Sequence, residues 1–277
     1  MRILVTGASG FIGSTLCERL RGAGHDVRPV SLRAGVPEFT NAQAVVHLAG
    51  IAHRDADAGE LRRVNTELAA EAGRRAAVAG ARFVFLSSVK VHGDESAAPF
   101  DERSPFAPGD AYGESKARAE ETLRAVDGLD LVVLRPPLVY GPRVKANFLR
   151  LLRAVDRGVP LPLAGIENRR SLVYVGNLAD AILRCAESPQ ARGRSFIVAD
   201  GAAPSTPELC RAIGRALGRP ARLFPVPRGL LELAPGARRL TRSLEVDDLV
   251  LREALGWRPP FTPEAGLAAT ARWYRGS

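Results

Sequence analysis

The chain has 277 residues, with 39 Lys or Arg against 30 Asp or Glu and a formal net charge of +9. That length buries a substantial core in one large domain or two coupled ones, and no stretch approaches the ~20 apolar residues that a bilayer-spanning helix needs. Cys17, Cys185 and Cys210 are too scattered, and odd in number, for a disulfide framework or a metal site, which points to a reducing cytoplasm and no bound metal.

Lys90, Lys116 and Lys145 are the only lysines, leaving 36 of the 39 basic positions to arginine. The arginines are spread along the whole chain, with no run longer than two and no interleaved aromatics. That distribution argues against a nucleic-acid surface. It reads as a solvated exterior in which some arginines serve anionic small molecules.

Arg2 to Val5 is a short apolar run that reads as a buried strand. Thr6-Gly7-Ala8-Ser9-Gly10-Phe11-Ile12-Gly13 follows at once, and apolar residues recur at helical spacing from Gly13 to Leu20. Strand, glycine turn and helix in that order are the setting of a dinucleotide site. The glycines allow a tight turn and close approach of the backbone to a pyrophosphate, and the helix N-terminus faces the phosphates. The spacing is Gly-x-x-Gly-x-x-Gly, and an ordinary strand-to-helix turn is the plain alternative. Because the loop breaks the apolar run after four residues, the N-terminus does not read as a secretion signal.

Further strands are expected at Asp26–Leu32, Ala44–Ala49, Arg82–Ser88 and Leu129–Arg135, with helices at Leu61–Ala79 and Ala111–Val126. Pro136-Pro137 stops the fifth strand. Continuous apolar strands alternating with helices imply a parallel sheet covered on both faces, doubly wound, with its ligand crevice at the strand C-terminal ends. From about Pro142 the pattern loosens. A helix is expected at Phe148–Asp156, an extended turn at Pro160–Leu163, a strand at Ser171–Val175, a helix at Gly176–Ala186 and a strand at Ser195–Ala199. Beyond Gly201, short helices are separated by Pro204, Pro220, Pro225, Pro227 and Pro235. The expected organisation is a dinucleotide-binding domain over 1–141, to which 171–200 return, and a substrate lobe from 142–170 and 201–277.

Tyr112 and Lys116 lie four residues apart on a predicted helix, hence on one face and one turn apart. A phenol with a pKa near 10 is a poor base at neutral pH, and lowering it by about three units takes roughly 4 kcal/mol. A neighbouring ammonium favours the phenolate. Ser88, at the end of a strand, is placed to bind a substrate hydroxyl or carbonyl while Tyr112 moves the proton. Each residue alone has a plain reading, the first two as a surface helix pair and Ser88 as a turn residue. Their order after the glycine loop makes the set specific.

The chain resembles the extended short-chain dehydrogenase/reductase superfamily, in its nucleotide-sugar epimerase/dehydratase branch. The residues that carry the likeness are Thr6 to Gly13, His47-Leu48-Ala49-Gly50, Asn65, Ser87-Ser88 with Val91-His92-Gly93, and Tyr112-Gly113-Glu114-Ser115-Lys116. The series continues through Arg135-Pro136, Val139-Tyr140-Gly141-Pro142 and Arg170 to Leu178, and closes at Gly256-Trp257-Arg258-Pro259. The resemblance implies a Rossmann-type doubly wound parallel sheet with a smaller C-terminal α/β substrate-binding lobe. It implies Tyr112 as acid/base, Ser88 on the reacting oxygen, and Lys116 on the nicotinamide ribose and tuning Tyr112. A hydride would move between a sugar C4 and the nicotinamide. The implied cofactor contacts are Gly7, Ser9, Gly10, Phe11, Ile12, Gly13, Ser31, Arg33, Leu48, Ala49, Gly50, Asn65, Ser87, Tyr112, Lys116 and Pro137. Those to the substrate are Ser88, Lys90, His92, Tyr112, Asn147 and Arg170, with an arginine fork suited to a diphosphate. A homodimer pairing the Leu61–Ala79 and Ala111–Val126 helices is also implied, although alanine-rich faces pack equally well on a sheet.

Departures from the family pattern narrow the reading. The family's 4,6-dehydratases carry an acidic pair after the strand-end hydroxyl, where this chain has Ser88-Val89-Lys90. With no acid in reach there, dehydration is disfavoured. His92 replaces the usual tyrosine and is expected on the substrate wall. Leu138 replaces an asparagine that would contact the nucleotide diphosphate. The acidic residue that binds the ribose 2′-hydroxyl in NAD sites is absent from Val30-Ser31-Leu32-Arg33. Ser31 and Arg33 suit a 2′-phosphate, so of NAD and NADP the stretch leans to NADP. The leading expectation is a UDP-sugar 4-epimerase, ahead of an NADPH-dependent 4-keto-6-deoxysugar reductase. A non-sugar ketone reductase and a non-enzymatic cofactor-sensing module are the readings from other classes. Arg238, Arg239 and Arg242 remain equal candidates for a phosphate contact.

Overall fold

The computed structural model describes residues 1–52 and 57–276. Its centre is a six-stranded parallel sheet of β1 (Arg2–Thr6), β2 (Asp26–Val30), β3 (Ala44–His47), β4 (Arg82–Leu86), β5 (Leu131–Arg135) and, after a smaller pair, β8 (Ser195–Ile197). The strand order is β2-β1-β3-β4-β5-β8. The chain winds outward from β1 to β2 and then crosses back to β3, so the topological switch lies between β1 and β3. In an open parallel sheet, that point at the C-terminal ends is where a ligand sits. Leu4, Val45, Phe83, Phe85 and Val133 point to one face of the sheet, and Val5, Val46, Val84, Val132 and Leu134 to the other. Both faces are buried, which is why these strands read as unbroken apolar runs.

Helix α1 (Phe11–Gly22) covers one face together with α6 (Val175–Glu187), through Leu16, Leu20, Leu178 and Ile182. The other face is covered by a broken helix and by α4 (Ala111–Arg124). The sequence reads that broken element as one helix over Leu61–Ala79. It is instead a short α2 (Ala58–Leu61), a π-helical turn (Arg62–Glu67) and α3 (Leu68–Val78). Ala69, Ala72 and Ala76 of α3 and Ala119 of α4 all pack within the chain, against its own sheet.

Pro136-Pro137 ends β5 as expected, but a three-residue strand, β6 (Leu138–Tyr140), follows directly. It pairs in parallel with β7 (Leu172–Tyr174) in a second, two-stranded sheet. Below it sits the smaller lobe, built from α5 (Ala146–Asp156), α7 (Thr206–Ala216), α8 (Arg228–Leu231), α9 (Arg238–Thr241) and α11 (Pro263–Arg275), whereas α10 (Leu249–Leu255), expected in that lobe, packs through Leu251 on the core of the main sheet beside β8. Phe148, Leu152, Ile213 and Leu267 form part of a separate apolar core in that lobe. Helices α7 and α11, of 11 and 13 residues, are longer than the proline-punctuated sequence suggests. Each starts with a proline in its first turn, where the missing N–H costs nothing.

Two carboxylates tie elements together. Asp180 of α6 accepts from Arg19 Nη2 at 2.7 Å and from buried Trp257 Nε1 at 3.0 Å. Asp200 accepts from Tyr140 Oη at 3.0 Å, from Asn177 Nδ2 at 2.7 Å and from the Tyr174 amide at 3.0 Å. Among the described residues no helix is long and apolar enough to cross a membrane. No cluster of three or more His, Cys, Asp or Glu side chains there is arranged to hold a metal.

Candidate active site

The glycine loop closes directly on the switch point. Gly10 donates its amide to the Gly7 carbonyl at 3.0 Å and forms the N-cap of α1, which has no side-chain cap and no acidic residue in its first turn. The exposed N–H groups of that turn are therefore left for an anion. Gly13 is required by packing: a Cβ there would lie 2.2 Å from the Gly7 carbonyl oxygen. Across the switch, Leu48, Ala49 and Gly50 leave the end of β3, and the Ala49 amide donates to Thr6 Oγ1 at 3.2 Å.

Asn65 reaches this floor from the π-helical turn. Its Nδ2 donates to the Ile51 carbonyl and to Ser115 Oγ, each at 2.9 Å, and its Oδ1 accepts the Ile51 amide at 2.8 Å. One extra residue per turn is what lets this buried amide face the β3 loop, and such bulges are common at functional sites. Ser115 then donates to the Tyr112 carbonyl at 2.8 Å, so Asn65 ties the β3 loop to the first turn of α4.

Helix α4 carries the catalytic candidates. Asp110 caps it, accepting the Gly113 amide at 2.9 Å. Gly113 seats it, because a Cβ there would come within 2.6 Å of the Lys90 carbonyl. The far end is anchored by Glu120, wholly buried and paired with Arg135 of β5 at 2.6 Å. Tyr112, half-buried, shares a hydrogen bond with Ser88, which favours its phenolate. Burial and the nearby Asp110 carboxylate outweigh that bond, and the Tyr112 pKa is pushed up to about 12.

Lys116 lies deeper than helical spacing alone specifies. It shares the α4 face with Tyr112 but runs inward, donating from Nζ to the Leu86 carbonyl at 2.8 Å beneath the Phe85 ring. Burial lowers its pKa to about 8, against the opposing pull of Glu120. The ammonium beside the Tyr112 ring, 6.0 Å from its centroid, belongs to Lys90. Lys90 is itself held by Asp110 and, at 2.9 Å, by Asp94. A carboxylate thus comes close to Tyr112 from the cap of α4, and Lys90 links it to Asp94; neither lies in Ser88-Val89-Lys90.

Other expected contacts are placed as follows. Ser87 is buried, and its Oγ has no hydrogen-bond partner among the described residues, which suits a ligand contact. Pro137 is buried at the end of β5. Phe11 and Ile12 are partly buried, each packed against one of the two lobes' cores, while Ser9 stays exposed at the loop tip. Ser31 and Arg33 are exposed beyond β2; the Arg33 amide donates to Ser31 Oγ, and no carboxylate among the described residues pairs with the Arg33 side chain.

His92 is not on an open wall: it is 3 % exposed, stacked near Phe100 and Phe106, with Nδ1 on the Pro105 carbonyl and Nε2 facing Arg135. Asn147 is exposed in the first turn of α5, where its Oδ1 accepts from Arg150. Half-buried Arg170 donates to the Arg242 carbonyl at 3.0 Å and has no carboxylate within ion-pair distance among the described residues. The structure separates the three C-terminal arginines. Arg242 is paired with Glu232 at 2.5 Å, Arg238 points into solvent, and Arg239 lies beside Arg170 and 3.8 Å from Asp110. Sequence reasoning passed over His47. It is fully buried, hydrogen-bonded to Thr6 Oγ1 at 3.2 Å, and held neutral at a pKa of about 3 by burial and the Lys116 charge.

The arrangement fits a dinucleotide. An uncapped helix N-terminus, a glycine loop at the switch point, an unpartnered buried hydroxyl and a buried lysine lie at the C-terminal edge of one parallel sheet. Comparison with known proteins agrees. A family model described as the NAD dependent epimerase/dehydratase family matches residues 3–199. A UDP-glucose 4-epimerase from Vibrio cholerae is 36 % identical over 309 residues, covering 98 % of this chain and 94 % of the relative. MoeE5 solved with UDP-glucose and NAD superposes with a TM-score of 0.79 at 25 % identity, over 100 % of this chain and 99 % of that one. A UDP-N-acetylglucosamine 4-epimerase from Bacillus cereus has the same fold, with a TM-score of 0.83 at 21 % identity over the full length of both chains.

Proposed function

The chain belongs to the NAD dependent epimerase/dehydratase family, and on that premise we propose that it is a 4-epimerase of a UDP-linked hexose. The observation that carries this reading is Ser88 hydrogen-bonded to Tyr112 at the crevice edge, with Lys116 buried one turn along α4. The likeness to the Vibrio cholerae enzyme over nearly the whole chain supports the same substrate class.

In this reading Tyr112 takes the proton from the sugar 4-hydroxyl and later returns it, while Ser88 holds the same oxygen. The bound nicotinamide supplies the hydride acceptor and donor at C4. The sugar must turn over as a ketone between the two transfers, which needs a pocket that holds the nucleotide more firmly than the hexose. Arg170 and Arg239, whose charges act on one another, with Arg239 3.8 Å from Asp110, suit the diphosphate, because a guanidinium fork matches its oxygens. With Tyr112 at about 12 before ligands bind, it starts as a phenol. Reaching half ionisation at pH 7 takes about 7 kcal/mol, and the cationic nicotinamide form and the Lys90 and Lys116 ammonium groups are the charges available to supply it.

Ser31 and unpaired Arg33 lie beyond β2 with no acidic residue between them, and on that basis we assign NADP as the preferred cofactor. This feature also favours a second reading, a 4-keto nucleotide-sugar reductase that exchanges NADPH each cycle. One experiment separates them. Protein is denatured and any released dinucleotide identified by mass; fresh protein is then incubated with UDP-glucose and UDP-N-acetylglucosamine. Retained dinucleotide and conversion to the 4-epimer, without net cofactor change, supports the epimerase. An empty site, no epimer, and NADPH consumption only with a 4-keto nucleotide sugar overturns it in favour of the reductase.

A further inference from the structure

A cleft of about 740 Å³ opens beside the glycine loop, with Ser9, Gly10 and Phe11 on one wall. The facing wall belongs to the smaller lobe and presents Arg143, Lys145 and Arg153. The chain places these cations by a specific local device. Between β6 and α5, Val144 is 3 % exposed and packed in the smaller lobe's core, while Arg143 and Lys145 on either side of it are exposed. A single buried residue between two long cationic side chains pins the segment and leaves both charges at the cleft.

None of the three cations has an ion-pair partner among the described residues. Tyr274, which lines the cleft, donates from Oη to Asp156 at 3.1 Å. Three uncompensated positive charges in one concave site repel one another and raise the local potential for an anion. The opposite wall is a helix N-terminus without a side-chain cap, which favours the same ligand.

We propose that Arg143, Lys145 and Arg153 form an outer jaw of the dinucleotide site, contacting the cofactor diphosphate from the substrate lobe while the glycine loop holds it from below. The assignment rests on the family's use of a nicotinamide dinucleotide. The cofactor diphosphate is favoured over that of a nucleotide sugar because Ser9, Gly10 and Phe11 form the other wall, whereas neither Arg170 nor Arg239 lines the cleft, Arg239 lying 3.8 Å from Asp110. The jaw makes cofactor affinity depend on the smaller lobe, so the two lobes are drawn together by the bound dinucleotide.

The test uses Arg143→Gln, Lys145→Gln and the double variant in the full chain. Both side chains are exposed and without partners, so unfolding temperatures should match wild type. Dissociation constants for NADH and NADPH are measured by fluorescence at two salt concentrations, and for UDP by calorimetry. Removing one charge-assisted contact is expected to weaken dinucleotide binding about tenfold. The double variant should also bind with a weaker salt dependence, as screening has fewer charges to act on. UDP affinity should stay within about twofold of wild type. Dinucleotide binding within about twofold of wild type in the double variant overturns the proposal. So does a loss confined to UDP, which would reassign the jaw to the substrate diphosphate. Wild-type protein that binds neither dinucleotide overturns the cofactor reading itself, a result distinct from a wild type that binds and variants that bind equally well.

Discussion

Replacing Lys116 by Met should stabilise the cofactor-free protein at neutral pH while abolishing turnover. Lys116 is 4 % exposed, its ammonium is held by the Leu86 carbonyl at 2.8 Å, and burial lowers its pKa from 10.5 to about 8. The unfolded chain therefore binds this proton more tightly than the folded chain does. The mismatch costs stability in full below the folded value, and the cost fades as pH rises from 8 towards 10.5. At about 1.4 kcal/mol per pKa unit, the cost is about 3 kcal/mol at pH 7 and about 1 kcal/mol near pH 10. Methionine keeps most of the bulk but removes the Leu86 carbonyl's donor, a loss of about 1–2 kcal/mol. The variant should be about 1–2 kcal/mol more stable than wild type at pH 7, with the difference gone or reversed near pH 10. Urea unfolding of both proteins at pH 7, 8, 9 and 10, without added nucleotide, reads this directly. A difference that does not change with pH, or that grows as pH rises, refutes the assignment of Lys116 as a charged group held in the interior at a cost.

Tyr112→Phe should lower kcat by about two to four orders of magnitude while leaving the dinucleotide dissociation constant nearly unchanged; a comparable loss of cofactor affinity would count against an acid/base role. Since burial and Asp110 push Tyr112 up to about 12, the difference in phenolate absorbance between cofactor-free wild type and Tyr112→Phe should stay flat through pH 9, and a step near neutrality would contradict it. Arg33→Ala should weaken NADPH binding about tenfold and leave NADH almost untouched, measured by fluorescence titration of both. Trp257→Phe leaves buried Asp180 without its Nε1 donor at 3.0 Å, and should cost about 1–3 kcal/mol in urea unfolding.

The sheet was legible in the sequence because its strands are buried on both faces. Val45-Val46, Phe83 to Leu86 and Val132 to Leu134 are continuous apolar runs, and each lies in the central sheet. Strand ends were less legible. Ala49, Ser87 and Ser88 read as strand from their apolar or small neighbours, yet β3 stops at His47 and β4 at Leu86. The residues beyond leave the ladder to line the crevice, so a local pattern overextends each strand at the place where function begins. Strand β6 was hidden for another reason. Three residues after two prolines carry no periodicity, and Leu138–Tyr140 becomes a strand only because Leu172–Tyr174 lies alongside.

Within the site, helical spacing showed that Tyr112 and Lys116 share a face but not how deep each side chain goes. Depth decides the chemistry: Lys116 reaches the sheet and bonds Leu86, leaving Lys90, a residue from another segment, as the ammonium beside the Tyr112 ring. The acids around Tyr112 were hidden in the same way: none adjoins Ser88 in sequence, and they are Asp110 at the cap of α4 and, through Lys90, Asp94. The cap's identity was readable, since Asp before a helix start is a common N-cap. Its second task was not, because it depends on Lys90 folding back over the first turn of α4. Lys90 pairs with both carboxylates. With a lysine between them, Asp94 and Asp110 are poor proton donors to a departing hydroxyl, which is in keeping with the proposed epimerase reading. Lys90→Met would expose Asp110 to Tyr112, raising the phenol further and depressing turnover without touching the glycine loop. If that variant instead kept full turnover, the carboxylate pair would have no part in setting the reaction.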